Sequence, residues 1–145
     1  MITMFLTMIF FHFLADYPLQ GDFLSKAKNH KNPIPGVPWY QALGAHCAIH
    51  AGFVFIATGS YGAGLSEFII HWYIDYRKNE GKYTFNEDQF AHLITKIGIL
   101  TAMVLTIHVG ANQNDTANSG INDDSSSDCW GISWVHHDLT RHATF

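Results

Sequence analysis

Residues 90–111 read FAHLITKIGILTAMVLTIHVGA. Lys96 is the only residue of fixed charge in this run. A helix that crosses a bilayer needs about 20 mostly apolar residues. The run meets that length, and no side of it is polar enough to face water as an amphipathic helix would. It reads as a membrane-spanning helix.

Three more apolar segments precede it. Residues 40–58 (YQALGAHCAIHAGFVFIAT) also reach spanning length. Residues 1–15 (MITMFLTMIFFHFLA) and 63–76 (AGLSEFIIHWYIDY) are shorter and need membrane thinning or interfacial anchors. Trp39, Tyr40, Trp72, Tyr73 and Tyr76 offer such anchors. The N-terminus lacks the basic region and small-residue cleavage site of a signal peptide. The expected fold class is all-α: an integral membrane four-helix bundle over residues 1–111. A polar C-terminal tail follows over residues 112–145, disordered or docking on a partner. The alternative is a soluble bundle of four core helices.

Composition agrees. Charged residues make up 14% of the 145-residue chain, against about 25% in soluble domains. Eight Lys+Arg against twelve Asp+Glu, net charge -4, form no basic stripe, so a nucleic-acid partner is excluded. Two cysteines exclude a disulfide scaffold, and Cys47 and Cys129 are expected to stay unpaired. Residues 17–39 are expected as a polar loop with Lys26, Lys28 and Lys31, and residues 77–87 as another with Arg77, Lys78 and Lys82. The positive-inside rule puts both loops in the cytoplasm and both termini outside, as in a multi-pass protein of the inner (cytoplasmic) membrane.

Ten histidines are the anomaly. Four pairs of potential metal ligands stand at i,i+4 spacing: His12/Asp16, His46/His50, His71/Asp75 and Asp88/His92. On a helix this spacing stacks both side chains on one face. Each expected helix carries one pair, and the topology puts all four at the cytoplasmic end. Bundle cores build metal sites in this way. Mixed imidazole and carboxylate donors suit zinc first, with iron or manganese next. Five histidines and three carboxylates exceed one tetrahedral shell, so there are two metals or some members orient the ligands. Glu67 and Lys96 lie one turn deeper than His71 and His92 and form a candidate inner layer. The alternative is a polar layer bonded only to itself. His30, His108 and the tail cluster His136, His137 and His142 are weaker candidates.

The runs FHFLADYPLQGDFLSKAK (11–28), HCAIH (46–50), HWYIDYRK (71–78) and DQFAH (88–92) resemble a family. It is the set of uncharacterised bacterial and phage membrane proteins grouped as domain-of-unknown-function family 3307. Their pattern is HxxxDxxLQ, a lysine-bearing loop, HxxxH, HxxxDxxK and DQxxH. The resemblance covers about residues 1–100 and adds Gln20 and Gln89 to the residues expected around the ligands. The chain is also distantly similar to membrane-bound metal-dependent hydrolases of the YdjM type.

The leading functional expectation is a metal-dependent membrane hydrolase acting on an amphiphilic or phosphoester substrate. His12, His46, His50, His71, Asp75, Asp88 and His92 are the candidate ligands. Asp16 and Asp75 are the candidate catalytic carboxylates, taking a proton from a metal-activated water. Lys26, Lys28, Arg77 and Lys78 are candidates for holding an anionic headgroup. Gln20, Glu67, Gln89 and Lys96 would orient the ligands. The alternatives are metal transport and a non-catalytic accessory subunit of a larger membrane complex. Haem or another pigment ranks lower, because carboxylates beside each histidine suit an apolar macrocycle poorly. Expected partners are membrane lipids, with a homo-oligomer or other proteins as further options.

Overall fold

The computed structural model describes residues 1–122. These residues are all-helical, with no strand among them. Helix α1 covers Ile2–Leu14 and runs into a π-helical turn at Ala15–Leu19. Pro18 lies inside that turn. Its missing N–H cannot close a regular helical bond, and the wider turn accommodates it. Gly21 follows at φ 55°, a left-handed conformation that only glycine adopts without Cβ strain. Helix α2 then spans Gly21–Ala27. The loop expected over residues 17–39 is therefore helical in its first half. The polar composition concealed a short helix, and only the proline-rich remainder is irregular.

Helix α3 (Trp39–Thr58) starts directly after Pro38 and stops at Gly59, whose φ of 69° ends it in the left-handed region. The Ser60 hydroxyl accepts from the Ala63 N–H at 3.2 Å and caps helix α4 (Tyr61–Asn79). Gly64 allows α3 and α4 to pack closely: a Cβ there would sit 3.0 Å from the Ala51 carbonyl oxygen. Helix α5 (Phe85–Asn122) opens with a reciprocal cap. The Thr84 N–H donates to the Glu87 carboxylate at 2.8 Å, and the Glu87 N–H to the Thr84 hydroxyl at 3.4 Å.

Residues Met1–His108 form one compact unit. In the second unit, Val109–Phe145, the described part is the end of α5. Residues 112–122, expected as the start of the polar tail, are helical. Cys129, His136, His137 and His142 lie outside the described residues.

The first unit is apolar outside and polar inside. Met8, Val54, Ala63 and Ile99 form a small apolar core. His12, Lys28, His46, His50, Glu67, His71, Asp75, Asp88, His92 and Lys96 are buried beside it. Leu6, Phe10, Ile56, Ile69, Phe90 and Leu105 are exposed. A water-soluble domain inverts this pattern. Three stretches are long and apolar enough to cross a membrane: Ile2–Leu19, Trp39–Thr58 and Phe85–Asn114. The expected third span is not among them, because α4 carries Glu67, Asp75, Arg77 and Lys78.

Candidate metal centre

The i,i+4 spacing does what helical geometry requires. All four pairs point inward and meet. His12, His46, His50, His71, Asp75, Asp88 and His92 are each at most 4% exposed. Asp16 sits at the start of the π turn, 10% exposed, and reaches α3.

Two groups of side chains converge closely enough to hold a metal ion: Asp16, His46, His50 and His71, and His71, Asp75 and His92. In the first, the His46 and His71 Nε2 atoms are 3.2 Å apart. Asp16 Oδ1 lies 3.1 Å from His50 Nε2 and 3.4 Å from His46 Nε2. Ligands bound at 2.0–2.1 Å around a tetrahedral ion sit about 3.3 Å from one another. The observed spacings match that edge length.

His71 is the best oriented member. Its Nδ1 lies 3.1 Å from Glu67 Oε1, and Glu67 in turn accepts from Lys96 Nζ. A carboxylate can only accept, so the proton sits on Nδ1 and the Nε2 lone pair faces His46. A carboxylate behind an imidazole is the usual support for a metal-binding histidine. Glu67 and Lys96 are both buried and paired, as the sequence suggested for an inner layer.

The lysines take up the remaining carboxylates. Lys28 Nζ lies 2.6 Å from Asp75 Oδ2 and 2.7 Å from the Gln20 side-chain oxygen. Lys78 pairs with Asp88 at 2.5 Å. Asp16 alone among the four buried or near-buried carboxylates has no lysine. It faces histidines and the Gln89 amide, which donates at 2.8 Å. Asp16 is thus balanced by imidazoles rather than by an ammonium group.

Two expected ligands fall outside the two groups. His12 Nε2 lies 3.4 Å from Asp16 Oδ2 and from the Gln89 oxygen, on the far side of that carboxylate. Asp88 Oδ1 lies 3.6 Å from His92 Nε2. The four cations expected to hold an anion do not share a surface. Lys26 is exposed beside Asp22, and Arg77 pairs with Glu80. Lys28 is buried and Lys78 half-buried, each on a carboxylate; their spacing from those acidic partners, 47 and 10 residues, hid this in the sequence. Asn79 also escaped notice: its amide donates to the Lys28 carbonyl at 3.0 Å and fixes that lysine's backbone. A cavity of about 30 Å³ adjoins the cluster, lined by Asp16, Tyr17, Gln20, Lys28, Asp75, Lys78, Phe85 and Gln89. It has room for one or two waters.

The other histidines lie elsewhere. His108 Nδ1 is 2.8 Å from the Val104 carbonyl on the exposed side of α5. His30 stacks on Tyr76 at 4.2 Å. Cys47 is a buried free thiol.

A family model described as a protein of unknown function, DUF3307, matches residues 4–118. All the donors described above fall within that span. No curated protein and no solved structure matches the chain. Similarity to hydrolases of the YdjM type has no counterpart among these matches.

Proposed function

The chain belongs to the DUF3307 family, whose description assigns no function, and from that premise we propose that it is a metal-dependent membrane hydrolase. The observation that carries this reading is His71. Its Nδ1 is committed to Glu67, and its Nε2 faces the Asp16, His46 and His50 donors. Asp16, His46, His50 and His71 would hold a divalent ion, zinc by the chemistry of the donor set. Such an ion supplies Lewis acidity and lowers the pKa of bound water. Asp75, outside that donor set, would take the proton. Lys28 and Lys78, held by Asp75 and Asp88 beside the small cavity, would keep those carboxylates oriented, and the substrate is proposed to be a phosphoester.

In this reading α1, α3, α4 and α5 all span the inner membrane as a four-helix bundle. Helix α4 turns Glu67 and Asp75 inward, 0% and 2% exposed, and Leu65, Ile69 and Tyr73 outward. Buried charges satisfied inside a bundle are compatible with a span. The basic residues Lys26, Lys31, Arg77 and Lys82 support a site at the cytoplasmic end with both termini outside. With the site at one end of membrane-spanning helices, the substrate is proposed to be amphiphilic.

The test is turnover of bis(p-nitrophenyl) phosphate in mixed micelles by the full chain, stripped with chelator and reloaded with zinc. Turnover should require metal and vanish in the double variant His46→Ala/His71→Ala. Turnover unchanged in that variant would overturn the proposal.

A further inference from the structure

His12 is buried beside the proposed ion's donors but takes no place among them. Its Nδ1 is buried without a hydrogen-bond partner, and its Nε2 lies 3.4 Å from Asp16 Oδ2. With Gln89 it also lines a cleft of about 260 Å³ between α1 and α5. Ile9, Phe13, Phe90 and Leu93 make the apolar walls of that cleft, and Asn86 completes it. Phe13 and Phe90 are 50% and 62% exposed, so in the proposed bundle the cleft faces the lipid.

Its size selects the occupant. Asn86 to Leu93 spans about 10 Å along α5 at the helical rise. Spread over that length, the volume leaves a channel about 5 Å across. A helix with its side chains is about 10–12 Å wide and does not enter. An extended alkyl chain, whose carbons keep their neighbours about 4 Å away, fits singly.

Polarity grades along the cleft. Asn86 is exposed in the first turn of α5, whereas Leu93 lies two turns further along and is half-buried. In the proposed bundle α1 and α5 run in opposite directions, so Ile9 joins Leu93 at the end nearer the membrane centre. Between the two ends His12 Nε2 and the Gln89 side-chain oxygen are 3.4 Å apart. Both residues reach past the cleft to the metal centre, since the Gln89 amide donates to Asp16 at 2.8 Å and His12 sits on the same carboxylate oxygen. The cleft thus has a polar end, an apolar end and a wall shared with a proposed ligand. An amphiphile lying in one leaflet has the same order of parts.

We infer that this cleft seats the single apolar chain of the substrate, entering sideways from the bilayer, with its head at the level of His12 and Gln89 beside the metal centre. The inference rests on the proposed function and deepens it, narrowing the substrate class to single-chain phosphoesters. It also gives His12 a place outside the ion's shell, in the wall between chain and ligand.

The test uses the full chain, zinc-loaded in phospholipid nanodiscs, and calorimetric titration with methylphosphonate and decylphosphonate, which share a head that is not hydrolysed. The wild type should bind decylphosphonate about tenfold tighter or more, the low end of what contacts in an apolar pocket discriminate. Leu93→Trp fills the cleft and should bring the two affinities to within about twofold while methylphosphonate and zinc stay bound. Ile56→Trp, on the exposed face of α3, should keep the advantage. Equal affinities in the wild type, or an advantage kept in Leu93→Trp, would overturn the chain site and leave the metal-dependent reading standing. Failure of the zinc-loaded chain to bind either phosphonate would overturn both. A second measurement needs no variant. Decylphosphonate with a diazirine at its chain end, photolysed with the wild type, should leave adducts on Ile9, Phe13, Phe90 and Leu93. Adducts spread evenly over Leu6, Ile56 and Ile69, which are exposed elsewhere, would overturn the inference.

Discussion

Replacing Lys96 with methionine isolates the Glu67 carboxylate inside the first unit. Lys96 is 1% exposed and Glu67 0%, and the two are directly paired. Methionine nearly matches the volume, so packing changes little while the cation disappears. Breaking a buried ion pair from one side destabilises by about 3–5 kcal/mol. At about 1.4 kcal/mol per decade, the folded-to-unfolded ratio falls by roughly 10²- to 10⁴-fold. The loss does not stop at stability, because Glu67 also orients His71. The double variant Glu67→Gln/Lys96→Met removes both charges but leaves an amide oxygen for the His71 Nδ1–H. It should lie within about 1 kcal/mol of the wild type, since a neutral pair avoids the desolvation penalty. Denaturant unfolding in mild detergent, arranged as a double-mutant cycle, reads both values. A single Lys96→Met variant as stable as the wild type would refute the claim that these charges are held together in a dry interior.

Other outcomes follow from the same geometry. Gly64→Ala should lower stability by about 1–3 kcal/mol, because its Cβ meets the Ala51 carbonyl at 3.0 Å and forces α3 from α4; thermal unfolding checks this. Gln89→Ala removes the amide donor to Asp16 and should weaken zinc binding about 10- to 100-fold without unfolding the chain, as competition with a chromogenic chelator will show. Arg77→Ala breaks a part-exposed pair with Glu80 and should change stability by about 1 kcal/mol or less. Stripping metal with chelator should lower the unfolding temperature of the wild type, and adding zinc should restore it.

The sequence made the site more legible than the chain path around it. Helical spacing of two ligands at i,i+4 is a local property, so His46/His50 and Asp88/His92 could be placed on one face from the sequence. Their meeting depended only on alternating helix directions. The Lys96–Glu67 pair followed from equal depth on adjacent helices. Less visible were features set by contacts between distant residues. Lys28 looked like a headgroup ligand because its partner Asp75 is far along the chain. The π turn at Ala15–Leu19 and helix α2 were hidden in a polar stretch with Pro18, where composition suggests a loop. The end of α5 carries polar residues that continue a helix begun by an apolar run, and residue type alone did not reveal that continuity. Helix α4 falls short of a span by hydropathy. Its charges lower the average although Glu67 and Asp75 point inward.

The central claim is that this buried cluster of histidines and aspartates binds a divalent metal. Zinc-edge X-ray absorption on the desalted, zinc-loaded wild type tests it most directly. The account predicts retained zinc with a nitrogen and oxygen shell near 2.0–2.1 Å, imidazole scattering, and no sulfur. Zinc lost on desalting, or a sulfur shell near 2.3 Å from Cys47, would contradict it.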